Sequence, residues 1–136
     1  MCQGIWLGND SYEYLKGEAV HCVVYNGLHY PVNSFVLADK LNFIVKSSDE
    51  LDDYQRCKLL EASEDGFFID DGIQTVIFYN KVGCPEREDV SRFHEIGHAV
   101  LDHGLDESKK EIEEIEAKFF AKYIKAPPPL IHQLPL

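Results

Sequence analysis

The chain has 136 residues, 45% of them hydrophobic and 27% charged, which is the composition of one globular domain spanning 1–136. Its 24 acidic side chains outnumber 13 basic ones, for a net charge of −11. A surface of that sign repels a phosphate backbone, so nucleic acid is not an expected direct partner. The opening "MCQGIWLGND" has neither the basic start nor the apolar run of a secretory signal. No segment reaches the ~20 apolar residues of a membrane span. The four cysteines, Cys2, Cys22, Cys57 and Cys84, show no CxxC spacing. Reduced thiols in a cytoplasmic protein are therefore expected, with no membrane partner.

In chain order, "YEYLKGEAVHCVVYNGLHY" predicts a first helix with Tyr14, Leu15, Val20, Cys22, Val23 and Val24 on one side and Gly27 at its end. Pro31 opens a second helical pattern, capped by Asn33 or Ser34, whose buried face would be Phe35, Val36, Leu37, Ala38 and Leu41. "NFIVKS" reads as a short strand. "DDYQRCKLLEAS" spaces Tyr54, Cys57 and Leu60 for a helix. "GFFID" and "IQTVIFYN" then read as a hairpin around a two-residue Asp71-Gly72 turn. Pro85 starts a helix with Val90, Phe93, Gly97, Val100 and Leu101 on one face and Gly104 as its stop. A last helix begins at or just before Ser108 and runs to about Lys125, where "APPP" ends it ahead of an irregular tail. The predicted class is α+β, with a small antiparallel sheet.

The chemistry is concentrated in "SRFHEIGHAVLDHG". On a helix, His94 and His98 lie one turn apart and about 40° around, so both imidazoles can face one point, as a zinc ion requires of two of its ligands. Glu95 is displaced around the helix, where a carboxylate can take a proton from a water at the metal and return it to a leaving amine. A third ligand must come from downstream. The elongated layout HExxHxxGxxH fails, because Leu101 and Gly104 stand where it needs Gly and His. His103 comes one residue early and about 140° around the helix from His98, which suits a helix-end residue or a partner of a ligand better than a ligand. The final helix offers Glu111, Glu113, Glu114 and Glu116, most of them expected on a solvated face.

"RFHEIGHAVLDH" followed by "EIEAKFFAKYIKAPPPLI" resembles the ImmA/IrrE family of zinc metallopeptidases, most strongly over 92–131. That family follows its HExxH helix with E-x-E-A-N-x-F-A-x-x-L-x-x-P, matched here by Glu114, Glu116, Ala117, Phe120, Ala121, Ile124 and Pro127. The resemblance implies a zincin-like, gluzincin-type fold, one Zn2+ per chain held by His94, His98 and Glu114, and Glu95 as the general base. Glu113 and Glu116 are the fallback third ligands. Lys118 stands where the family has Asn; a lysine cannot accept a hydrogen bond from a ligand histidine, and losing such a partner can cost about 10–100-fold in affinity or activity.

The function so implied is a site-specific regulatory endopeptidase that cleaves a helix-turn-helix repressor of a phage or conjugative element. The acidic surface suits a basic DNA-binding protein as partner. The alternative, kept open by Lys118, is a non-catalytic or weakly catalytic module that antagonises such a repressor by binding it. Tyr79 ends a strand expected beside the active-site helix, as a possible cleft residue or an ordinary half-buried tyrosine. "APPPLIH" offers a polyproline segment for a partner or a simple helix stop.

Overall fold

The structure, a computed structural model, describes residues 8–62, 66–104 and 107–125. The expectations for the polyproline segment and the tail lie outside these residues. Among these residues five helices and three strands follow in the order α1 (Asn9–Tyr25), α2 (Ser34–Lys40), β1 (Phe43–Ser47), α3 (Asp53–Ala62), β2 (Gly66–Asp70), β3 (Thr75–Tyr79), α4 (Pro85–Val100) and α5 (Lys110–Lys125). Among the described residues no helix is long and apolar enough to cross a membrane.

The class is α+β, as expected, but the sheet is mixed rather than antiparallel. Its order is β1-β3-β2. β2 pairs antiparallel with β3, Gly66 opposite Tyr79 and Asp70 opposite Thr75, whereas β1 runs parallel to β3 with Phe43 opposite Thr75. The hairpin connection is also longer than two residues. Asp71 accepts from Ile73 N and Gln74 N, both at 2.8 Å, and donates its own N–H to Gln74 O at 3.3 Å, so its carboxylate closes a loop that Gly72 crosses at φ 86°.

Helix α4 lies at the centre, packed between the sheet on one side and α5 on the other, with α1 beyond α5 and α2 at the flank. Hence every residue from Ser91 to His98 is buried. Phe93 and Ile96 meet Ile77 of the sheet, Phe120 and Ile124 of α5, Ala19 and Val23 of α1, and Leu37 of α2 in one core. Some expected faces are rotated from this arrangement. Leu15, Ala19, Cys22 and Val23 are buried, while Tyr14, Val20 and Val24 face outward. On α2, Leu37 and Ala38 go in and Phe35 and Val36 stay out. Tyr54 and Cys57 of α3 are exposed.

Polar side chains fix where the elements join. Asn33 caps α2 by accepting from Phe35 N at 2.9 Å and Val36 N at 3.2 Å. Glu88 turns back from α4 to accept from Val82 N and Gly83 N, at 2.9 and 2.8 Å, anchoring the loop that enters the helix. The buried Arg92 donates from Nε to Ser34 Oγ at 2.8 Å; Ser34 donates to Asp89 Oδ1 at 2.7 Å, and Lys125 Nζ to Asp89 Oδ2 at 2.6 Å. This cluster ties α2, α4 and α5 together.

Two outcomes follow from these contacts. A Cβ at Gly66, which has φ +150°, would run into the Phe78 carbonyl oxygen and sit 3.1 Å from Tyr79 Cα. Gly66→Ala is therefore expected to cost at least about 2 kcal/mol in urea unfolding. For Asp89, burial raises the carboxyl pKa, but Lys125, Ser34 and Arg92 together outweigh it and leave the pKa below its ordinary 3.8. Because the folded value is depressed, the stability it contributes is present above about pH 4 and lost as pH falls through the folded pKa. The stability gap between wild type and Asp89→Asn should shrink from pH 7 to pH 3; a gap that stays constant would contradict this.

Candidate metal centre

Helix α4 starts at Pro85, where a missing N–H costs nothing, and carries His94 and His98 on successive turns of its buried stretch. Facing them is α5, whose first turns bring Glu114 opposite the pair. The helices can approach because Gly97 has no side chain. A Cβ there would lie 3.0 Å from Phe120 Cδ1 and 3.4 Å from the Ala117 carbonyl.

His94 Nε2 and His98 Nε2 are 3.1 Å apart, and Glu114 places Oε2 3.0 Å from the first and Oε1 3.0 Å from the second. One ligand atom from each residue lies within 4.8 Å of the others, and together these three side chains could hold a metal ion. Bonds of about 2.0–2.1 Å in a tetrahedral site separate ligand atoms by roughly 3.3 Å. The observed spacings come close to that, and two imidazoles with a carboxylate are a donor set suited to zinc. Contacts first with His94 and then with His98 hold the Glu114 carboxyl well below the usual carboxylate range, against the opposing effect of burial.

Of the four acidic candidates on α5, Glu114 is the one brought to the histidine pair. Glu116 instead lies 2.8 Å from His103 Nε2, while His103 Nδ1 lies 2.8 Å from His98 Nδ1. His103 thus contacts His98, one of the three residues that could hold a metal, and does not itself join that group. Burial lowers its pKa, with the Glu116 contact opposing and His98 reinforcing that shift. The helix stops earlier than Gly104. Asp102 takes the left-handed conformation at φ 58°, donating to Ala99 O at 3.2 Å, and His103 N donates to His98 O at 2.9 Å. These are the two bonds of a Schellman cap, with aspartate in place of the usual glycine.

Glu95 is buried beside His94, with 4% of its surface exposed. Lys118 is exposed, and His98 Nδ1 lies 2.8 Å from His103 Nδ1. Tyr79 lies on the central strand β3, under the Arg92 guanidinium at 4.7 Å and edge-on to Phe35 at 6.3 Å. It is a packing residue of the α2–α4 junction. The strand at the cleft is β2, whose Phe68 ring lies nearly parallel to that of His98 at 6.3 Å. A cleft of about 590 Å³ opens between Phe68, Ile69 and Asp70 on one side and Ala99, Asp102 and His103 on the other.

An α+β domain that gathers the two histidines of an HExxH helix and a glutamate of the next helix about one point has the build of a metallopeptidase-type protein. The chain matches the peptidase family described as the IrrE N-terminal-like domain over residues 53–135, more than half its length, and belongs to that family, as its likeness to ImmA/IrrE proteins implied. No curated protein and no solved structure matches it.

Gly97→Ala measures how far the centre depends on the close approach of the helices. Alanine gains about 1 kcal/mol in helix propensity over glycine, but overpacking against a fully buried Phe120 costs about 1–3 kcal/mol. A net loss of about 1 kcal/mol is expected by thermal unfolding, with weaker metal binding because the same approach sets the distance from His94 to Glu114.

Proposed function

We propose that the chain is a zinc-dependent endopeptidase with a gluzincin-like active site. Its substrate would be a helix-turn-helix repressor of a mobile genetic element, inactivated by a specific cut. The observation that carries this reading is the convergence of His94 Nε2, His98 Nε2 and the Glu114 carboxylate, with the carboxylate of Glu95 buried next in sequence to the first ligand. Zinc, when bound, would polarise the scissile carbonyl and bring the pKa of a water down to about 7.

The chain's own residues divide the remaining work. Glu95 takes the proton of the attacking water and passes it to the leaving amine, a role open to a carboxylate held in a largely water-free position. The outer edge of β2 would receive the substrate as an added strand, since among the described residues β2 pairs only with β3. A net charge of −11 favours encounter with a basic DNA-binding protein and disfavours contact with DNA itself. The alternative, a module that antagonises the repressor by binding it, keeps its support in Lys118, while His98 has a ring contact from His103.

The test is elemental analysis of untagged protein beside His94→Ala, Glu114→Ala and Glu95→Gln. About one zinc per chain is expected in wild type and Glu95→Gln, and loss of it in the two ligand variants. Incubated with its repressor, wild type should cut and Glu95→Gln should not. No zinc in the wild type after loading and removal of excess would sink the peptidase reading. An undiminished effect of Glu95→Gln on the repressor would favour the binder.

A further inference from the structure

We infer that His103 and Glu116 are positioning residues: they form a relay that fixes the ring tautomer of His98 and so directs its Nε2 lone pair to the metal point. The inference rests on the metal-site reading above and deepens it. Two observed contacts define the relay, His98 Nδ1 to His103 Nδ1 at 2.8 Å and His103 Nε2 to Glu116 Oε1 at 2.8 Å.

When a metal takes the place of any hydrogen between Glu114 and His98 Nε2, hydrogen-bond logic gives the remaining contacts one direction. An ionised carboxylate only accepts. Glu116 therefore requires a hydrogen on His103 Nε2, and in a neutral imidazole that leaves Nδ1 with the lone pair. The short contact to His98 then requires the hydrogen to sit on His98 Nδ1, which leaves His98 Nε2 bare. That atom is the one beside His94 Nε2 and Glu114. The reverse order would place the lone pair of His103 Nε2 against the carboxylate of Glu116. With a metal held at Glu114, the carboxylate of Glu116 thus decides which nitrogen of a residue on α4 is free to bind.

The backbone supports the same arrangement. His103 follows the left-handed Asp102, and its N–H closes onto the His98 carbonyl at 2.9 Å, so main chain and ring of His103 both bear on the residue five positions earlier. His103 is 8% exposed, which limits competition from water for the relay. Glu116 sits two residues from Glu114, so one short piece of α5 supplies both a ligand and the anchor for its neighbour's tautomer. An imidazole that donates to such a partner is held in orientation and made a better ligand.

The test uses the full chain and two variants that differ in where they place an acceptor. By bond count, Asn at position 103 puts its amide oxygen where histidine has Nδ1, within reach of His98. Gln carries its amide further out, toward Glu116. Zinc affinity, measured by chelator competition, is expected to fall about 10–100-fold in His103→Gln and to stay within about threefold in His103→Asn. Long-range 15N–1H correlation spectra of the zinc-loaded wild type should show His98 with its hydrogen on Nδ1 and His103 with its hydrogen on Nε2. The relay is overturned if His103 carries its hydrogen on Nδ1, if the two variants bind zinc equally weakly, or if both bind it as tightly as wild type. The spectra need no variant, so they decide the matter even if a substitution unfolds the chain. A wild type that takes up no zinc would overturn the peptidase reading and the relay with it, whereas a zinc-loaded wild type with the other His103 tautomer would overturn the relay alone.

Discussion

The approach of α4 to α5 at Gly97 is the constraint on which the rest of this structure depends. Phe120 fills the space that any side chain at position 97 would take, and its ring is fully buried there. With the helices in this register, His94 and His98 look across at Glu114, and His103 at the helix end looks across at Glu116. The apolar seat and the polar cluster are therefore one packing arrangement seen on neighbouring faces of α4. A change in the first displaces the second.

Burying so polar a helix is costly unless its groups are satisfied. Helix α4 meets that cost with two separate clusters. On the site side, the imidazoles and carboxylates pair with one another. Toward α2, Arg92 is held between Ser34 and Asp89 and lies over the rings of Phe35 and Tyr79 at 4.0 and 4.7 Å. The guanidinium thereby keeps both hydrogen-bond and cation–π partners in a place from which water is largely excluded. Because this second cluster fixes how α4 sits against α2 and α5, it also sets the pose in which the histidines are presented.

What the sequence made legible follows from which signals are local. The helix from Pro85, the strands "GFFID" and "TVIFY", and Asn33 as a cap are each encoded within a few residues, and each is present. The parallel pairing of β1 with β3 leaves no local mark, because it joins residues as distant as Phe43 and Thr75; a hairpin signal alone suggested an antiparallel sheet. Asp71-Gly72 was read as the whole turn, whereas the Asp71 side chain closes a longer loop. Gly104 looked like the helix stop because glycine is the usual left-handed residue, yet Asp102 takes that role two residues sooner. Within the site, the HExxH spacing fixed two positions and the family motif singled out Glu114. The link from His103 to Glu116 needs the mutual register of two helices, which periodicity within either helix does not contain. Tyr79 shows the same limit: a strand tyrosine ahead of the site helix was placed correctly in the chain, but its ring belongs to the Arg92 cluster.

The position of β2 at the margin of the sheet carries a further consequence, for colloidal behaviour. Among the described residues β2 has β3 on one side only, and it combines Phe67, Phe68 and the half-exposed Ile69 with Ile73 almost fully exposed in the following loop. A short, apolar strand at the margin of a sheet is a template for any other extended chain, including a second copy of itself. Opposing this are Asp70 and Asp71 at the strand's end and the molecule's large negative charge, which act as gatekeepers through mutual repulsion between copies. Such protection is electrostatic, so it weakens with salt and with acid. The strand proposed to take up an incoming peptide is thus also the place where self-association would begin once the carboxylates are neutralised.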